Sequence, residues 1–330
     1  MRSTRIGPSS TRQEKEEAVK KILVLGGAHV DRRGMIESET VPGASNPGAW
    51  MEEAGGGGFN AARNLSRLGF EVRIIAPRGG DTNGDVVAAA AREAGVEDTP
   101  FTFLDRRTPS YTAILEADGN LVIAIADMDL YKLFTPRRLR VRAVREAIAA
   151  CDVMLCDANL PQETLQAIGA AARSSGKPLA AIGISPAKVV RLREALPQID
   201  ILFMNEAEAR ALTGQTVTDI RGWPEHLRAL GLGGGVITSG ARQVVAFSGA
   251  DIAVLNPPSV ANVRDVTGAG DAMAAGYLAA TAQGLPPSQA LRWGAAAAAI
   301  TVQSFSATAM DLSSASLENM LALVPNAEML

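Results

Sequence analysis

The sequence predicts an α/β protein: a doubly wound, mostly parallel sheet with a small β-sheet lid inserted into it. Three observations carry that expectation. Apolar runs of strand length alternate with helical patterns along most of the chain, as in a parallel sheet covered by helices on both faces. One region breaks the alternation, with two strand patterns joined by Ala117-Asp118-Gly119-Asn120, a hairpin signal with no helix between them. Glycine-rich turns stand where strands end and helices begin, which is where open α/β sheets bind ligands.

Taken in order, residues 1–20 are polar and charged, lack the apolar stretch of a signal peptide, and read as a disordered tail ahead of one domain spanning 21–330. Strand-length runs follow at 22–25, 72–76, 153–156, 179–182 and 201–203, with helical patterns at 60–68, 84–94, 163–172 and 187–195. The alternating segments 111–116 and 121–126 form the hairpin. Together with the Pro- and Gly-containing segment 32–54, they place lid insertions at about 32–54 and 108–128. Strands at 235–239, 244–247 and 252–255 precede helices at 269–283, 288–303 and 312–323.

Composition excludes several classes. With 330 residues and 47% hydrophobic content the chain can bury a large core. Its 32 basic and 35 acidic residues show no basic stripe interleaved with aromatics, so a nucleic-acid surface has no support. No apolar run reaches the length of a membrane span, so no membrane partner is expected. Cys151 and Cys156 lack metal-site spacing and fit a reduced, cytoplasmic compartment.

The chemistry concentrates at a few junctions. In Asp265-Val266-Thr267-Gly268-Ala269-Gly270-Asp271, the glycines allow a tight turn into a helix whose first amides lack internal acceptors, which makes an anion site. A carboxylate there, Asp271, suits proton removal from a hydroxyl brought beside a phosphate; an N-cap aspartate is the simpler alternative. Gly55-Gly56-Gly57-Gly58-Phe59-Asn60 opens a helix, lets backbone approach a ligand and offers the Asn60 amide to a hydroxylated substrate; a hinge below a lid is the alternative. Without the Lys and Ser/Thr of a Walker motif it is not a P-loop. Asp31, after Gly26-Gly27-Ala28-His29, either accepts vicinal hydroxyls or makes a turn. Asn205 and Glu208 share a helix-start face that suits hydrated Mg²⁺, with a capping box as the simpler alternative. Thr238-Ser239-Gly240 forms either a nucleotide contact or an ordinary turn.

The glycine cluster and the GAGD turn together resemble the two signatures of the ribokinase-like (PfkB) carbohydrate kinase family. Gly55 through Asn60, with Ala62 and Gly69, match the first signature, and Asp265 through Asp271, with Ala275 and Gly276, match the second. Asn205 and Glu208 match the family's NxxE motif and Asp31 its early substrate aspartate, so the resemblance spans about residues 21–325. It implies a ribokinase-like fold and ATP with Mg²⁺ as phosphoryl donor, with K⁺ as a possible activator and lids that pair into homodimers. Asp271 is then the base, with Gly268, Ala269 and Gly270 completing the anion hole. Asp31, Gly55, Gly56, Gly58, Asn60, Asp127 and Asn159 are expected against a small sugar or nucleoside. Asn205, Thr238, Ser239, Gly240, Gly268 and Gly270 are expected on the nucleotide side. Asn205 and Glu208 would hold Mg²⁺ through water, and Asp265 matches a position near the K⁺ site.

Ser45-Asn46-Pro47-Gly48, the AARNL of 61–65, Ala124 through Met128 and Asp157-Ala158-Asn159 are most similar to the branch that phosphorylates the 5′-hydroxyl of pseudouridine. Another sugar or nucleoside acceptor, or a lapsed kinase serving as a sensor, are the alternatives. Several positions depart from the family. His29 replaces a usual Asn and reads as a satisfied strand-end histidine, while Phe59 either stacks on a base or packs under the lid. Ile182-Gly183 stands where an Asp-Pro pair is common, and Ala241-Arg242-Gln243 replaces a second glycine turn, with Arg242 the residue available to reach a phosphate.

Overall fold

The computed structural model describes residues 19–330; of the tail expected at 1–20, residues 1–18 lie outside the described residues. The chain enters through β1 (Lys21–Leu25), which becomes an interior strand of the main sheet and alternates Ile22 and Val24 toward one core with Leu23 and Leu25 toward the other. Both faces of this strand are covered, which is why it reads as a continuous apolar run. The chain then leaves the sheet to form two lid strands, β2 (His29–Ile36) and β3 (Gly48–Gly55). It returns through α1 (Gly57–Arg67) to β4 (Glu71–Ile75).

Next come β5 (Pro77–Gly79), α2 (Thr82–Glu93), β6 (Glu97–Asp98) and β7 (Phe101–Phe103), before the lid hairpin of β8 (Ser110–Leu115) and β9 (Leu121–Asp127). From there α3 (Arg142–Ala150), β10 (Val153–Asp157), α4 (Gln162–Ser175), β11 (Leu179–Ile182), α5 (Pro186–Val189), β12 (Ile201–Asn205), α6 (Glu206–Thr213), α7 (Trp223–Ala229) and β13 (Gly234–Thr238) extend the sheet on the other side of β1. β14 (Val244–Ser248), β15 (Asp251–Leu255), α8 (Ala269–Ala282), α9 (Pro287–Thr301), α10 (Ser314–Leu321) and β16 (Glu328–Met329) complete the fold.

The main sheet has ten strands in the order β16-β15-β14-β13-β12-β11-β10-β1-β4-β6. It is parallel from β6 through β13 and antiparallel from β13 to β16. Helices α1, α2, α8, α9 and α10 bury one face, and α3, α4, α6 and α7 the other. Strand order reverses between β1 and β10, so the carboxyl ends of those strands splay around a crevice. The segment expected as one helix at 187–195 is instead the single turn α5 running into 3-10 turns over Val190–Gln198, where Pro197 has no amide to donate to an α ladder.

The lid is a four-stranded sheet in the order β3-β2-β8-β9, with β2 parallel to β8 and the other pairs antiparallel. Its root is fastened at Thr108. Asp81, the N-cap of α2, accepts the Gly84 amide at 3.1 Å, the Thr108 amide at 3.1 Å and the Thr108 hydroxyl at 2.6 Å. Burial acts to raise the Asp81 pKa, but these donors outweigh it and hold the carboxyl below its ordinary range. Asp81→Ala is therefore expected to lower unfolding free energy in urea by about 1 kcal/mol or more, the usual cost of an N-cap. Because the group is depressed in the folded state, the difference between variant and parent should be full at neutral pH and shrink as acid protonates the carboxyl.

Candidate active site

A buried carboxylate organises the crevice. Asp157, at the end of β10, is fully buried; its Oδ2 accepts the amides of Gly27 and Gly58, each at 2.8 Å, and its Oδ1 accepts that of Asn159 at 2.9 Å. One side chain thus ties the exit of β1, the entrance of α1 and the loop after β10. An ionised group can be buried there because each of its oxygens is satisfied by hydrogen-bond donors.

The glycine run brings α1 close enough for this. Gly56 has a φ of 110° and packs on the Gly27 carbonyl, while a Cβ at Gly55 would overlap the Asp31 carboxylate. Phe59, expected either to stack on a base or to pack beneath the lid, is wholly buried, with the Arg63 guanidinium 4.8 Å from its ring centroid; it packs and does not reach ligand space. Arg63, one helical turn after Asn60, donates to Asn60 Oδ1 at 2.7 Å and to the Ala54 carbonyl at 2.7 Å. Burial, with the nearby Arg67 charge, lowers its pKa to about 10, so it remains a cation at neutral pH. With Asn60 Oδ1 taken, the amide nitrogen faces Asp271 and donates to its Oδ2 at 2.8 Å. Asn60 is buried and donates to Asp271, whereas the sequence suggested direct contact with substrate.

Asp271 is not the helix cap. Gly268 takes that position in the left-handed conformation, φ 79°, and Asp271 sits in the first turn of α8 with its carboxylate turned to Asn60. Gly270 is exposed with open space before it, and the Ala269 amide is engaged by the Val266 carbonyl at 3.3 Å. Burial raises the Asp271 pKa to about 7; the anionic charges of Asp157 and Glu208 add to it, against the Asn60 donor and the Arg63 charge. Ile184 contributes to this crowding: its side chain fills the space before Gly57, and its φ of 70° is a strained conformation for a β-branched residue.

On the acceptor side, His29 bridges Asp31 Oδ1, 3.2 Å from its Nε2, and the Tyr131 hydroxyl, 2.8 Å from its Nδ1. The Nε2 proton then faces the carboxylate, and Nδ1 accepts from Tyr131, whose pKa burial pushes well above the ordinary phenol value. Asn159 is buried; its Oδ1 accepts from Lys188 at 2.7 Å and its Nδ2 has no partner. Burial lowers the Lys188 pKa, although the Asp157 charge opposes that. Tyr111 lies opposite Asp31 in the lid register, on the same sheet face. Asp127, at the end of β9, pairs with Ser110 on the alternate face and is exposed, so it is not gathered with Asp31.

The other end of the crevice is more engaged with itself. Asn205 and Glu208 form a reciprocal capping box on α6: Asn205 Oδ1 accepts the Glu208 amide at 2.9 Å, while Glu208 accepts the Asn205 amide and side chain, each at 3.0 Å. Burial raises the Glu208 pKa. Among the described residues no group of three or more His, Cys, Asp or Glu could hold a metal ion directly. Thr238, Ser239 and Gly240 make the hairpin turn from β13 to β14, with the Ser239 hydroxyl on Glu206. Arg242 also pairs with Glu206, at 3.0 Å, on the surface. Asp265 accepts from Thr267 on one oxygen and Arg33 on the other.

Arg63, Asp157, Tyr131, Lys188 and Tyr111 were not singled out as site residues from sequence. A charged residue among the apolar positions of α1 was the available signal for Arg63. Tyr131 and Lys188 carried none, because each meets the crevice from an element distant in sequence.

A sheet with its crevice at the topological switch point, a helix-entrance turn carrying a poised carboxylate and a small β lid define a ribokinase-like phosphotransferase with an alcohol group as acceptor. Residues 19–314 match the pfkB family carbohydrate kinases, and the chain belongs to that family. It is 75% identical to a solved carbohydrate kinase from Agrobacterium tumefaciens, with a TM-score of 0.87 over 94% of this chain and 100% of that one. It is similar to pseudouridine kinase of Escherichia coli, 29% identical over 94% of this chain and 98% of that protein. The ribokinase of Arabidopsis thaliana solved with ribose and ATP shares the fold at 23% identity, with a TM-score of 0.81 over 92% and 99% of the two chains.

With its carboxyl raised to about 7, Asp271 carries its proton in mildly acidic solution and cannot accept another. The value of kcat/KM, which reports the free enzyme, is expected to rise with pH through about 7 and then level. A profile flat from pH 5 to 8, set by steady-state ADP release, would remove this group as the base.

Proposed function

We propose that the protein transfers the γ-phosphoryl group of ATP to the 5′-hydroxyl of pseudouridine. The observation that carries the chemistry is Asp271, whose Oδ2 is held by the Asn60 amide, itself fixed by Arg63, with Oδ1 left to accept the hydroxyl proton beside the α8 entrance. As oxygen attacks phosphorus, charge spreads over the transferred oxygens, and the free amides at that entrance, around Gly268, Gly270 and Asp271, face it. Asp31, steadied by His29, accepts hydroxyls of the ribose. Tyr111 offers a ring on the inner lid face, and the orphan Asn159 Nδ2 with Lys188 offers donors to base carbonyls. This favours a nucleoside over a bare sugar. The likeness to Escherichia coli pseudouridine kinase along nearly the whole chain supports the particular nucleoside.

Mg²⁺ fits beside Glu208 through water only. Each Glu208 oxygen already accepts one hydrogen bond and keeps a lone pair, enough for water of a hydrated ion. When bound, the ion neutralises nucleotide phosphate charge. Two buried free cysteines, and the absence among the described residues of any helix long and apolar enough to cross a membrane, support action in the reduced cytoplasm where ATP is present.

Incubating the protein with ATP and Mg²⁺ and a panel of ribose, adenosine, uridine and pseudouridine tests the assignment through ADP release. Pseudouridine is expected to give the highest kcat/KM; no turnover above buffer overturns it. Asp271→Asn should lower kcat by about 10²-fold or more with the best acceptor, the size of a general-base contribution.

The lid's outer face carries an apolar patch beside the Arg32–Glu52 ion pair. Trp50 (66% exposed), Ile123 (60%) and Ile125 (68%) stand on one side of the sheet, in rows shared with Gly34, Ile114 and Thr112. We assign this patch to a second copy of the chain, since lids in such kinases pair and a contiguous apolar strand face is costly in water. Light scattering should report a dimer that Trp50→Glu converts to monomer; a monomeric parent protein would refute the pairing.

A further inference from the structure

The inner lid face reaches the turn that begins α8, and the contact is ionic. Arg33 of β2, two residues beyond Asp31 and on the same face, donates to Asp265 Oδ2 at 2.6 Å. Its other terminal nitrogen lies 3.3 Å from Glu53 Oε1 of β3. The remaining Asp265 oxygen accepts the Thr267 amide at 2.8 Å and hydroxyl at 2.7 Å, which shapes the turn into Gly268. Glu53 meanwhile accepts the Ser306 hydroxyl at 2.7 Å and the Ala307 amide at 3.4 Å. Gly268 packs so closely on the Ala307 carbonyl that no side chain fits there. One lid ion pair therefore holds both backbone segments between which the anion turn is wedged.

These contacts do not fit the K⁺ that the family resemblance places near Asp265. A bare cation needs oxygen lone pairs turned toward it and no like charge beside them, whereas Asp265 Oδ1 already accepts two donors and a guanidinium is seated on Oδ2, where its positive charge repels a second cation. We infer that Arg33 is the built-in counter-cation of the anion turn: the lid supplies, as a tethered guanidinium, the positive charge that a free monovalent cation would provide. Because that charge rides on the lid, the position of the lid and the shape of the turn before Asp271 are linked. Arg33 is a positioning residue acting through Asp265, and this role depends on the kinase class and not on the identity of the acceptor.

The test compares potassium with tetramethylammonium chloride at matched ionic strength, using the full chain and two readouts. For the parent protein, neither the thermal unfolding midpoint without ligands nor acceptor-dependent ADP release should depend on which salt is present. A midpoint or rate raised by potassium overturns the inference. Arg33→Ala should lose about 10²-fold in kcat, the cost of a displaced catalytic group, with little change in KM for ATP. Potassium, at the vacated position, should raise the midpoint of that variant and restore part of its rate; a variant with the parental rate overturns the inference. The unfolding measurements need no acceptor, so the expected midpoints together with failure of every acceptor would refute the proposed substrate and leave the role of Arg33 standing.

Discussion

The site depends on one buried negative charge. Asp157 occupies the point where the strand order reverses, and its hydrogen bonds to Gly27, Gly58 and Asn159 join three segments far apart in sequence. Removing any one donor would leave part of a buried carboxylate unpaired, a cost of kilocalories and not tenths. Glycine is required around it because the amides must come within 3 Å of the carboxylate, and a Cβ at Gly26 or Gly58 would contact the same oxygen. The charge has a second effect. It stands close enough to Asp271 to disfavour ionisation there, so the group that assembles the crevice also helps to raise the pKa of the Asp271 carboxyl.

Opposing charges set the Asp271 carboxyl between limits. Burial and the neighbouring carboxylates push Asp271 up, while the Arg63-Asn60 relay pulls it down and fixes which oxygen is free. A carboxylate at the ordinary pKa would be a weak base; one pushed much further would be protonated at working pH. Arg63 is also buried, and it keeps its charge because the Ala54 carbonyl, the Asn60 side chain and the Phe59 ring surround it. The strain at Ile184 belongs to the same region, where a side chain in an unfavourable backbone conformation covers the crevice wall.

Much of this was legible in the chain. Alternating strand and helix patterns locate the parallel sheet, since a strand covered on both faces must be apolar throughout, and the Asp-Gly turn between alternating segments locates the lid hairpin. Periodicity was less informative at 187–195, where apolar spacing fits a helix but Pro197 and the tight passage between strands give 3-10 turns. Phe59 shows another limit: its exposure depends on the tilt of α1 against the sheet, which local spacing does not encode. Asn205 with Glu208 was legible as two alternatives, and the capping box is formed.

By itself, the sequence determined the fold class, the glycine turn that opens α8 and the carboxylate placed there, because each is a local consequence of glycine, helix termini and side-chain period. Only the tertiary structure decided that Asn60 donates to Asp271, that Asp157 ties the crevice together and that Arg33 crosses from the lid to Asp265. Each of those contacts spans between 99 and 232 residues of chain, apart from the short Asn159 bond. The physical reason is that a charge finds its partner through the packing of whole elements. The pattern along a strand or helix says which face a side chain takes, but not what waits opposite that face.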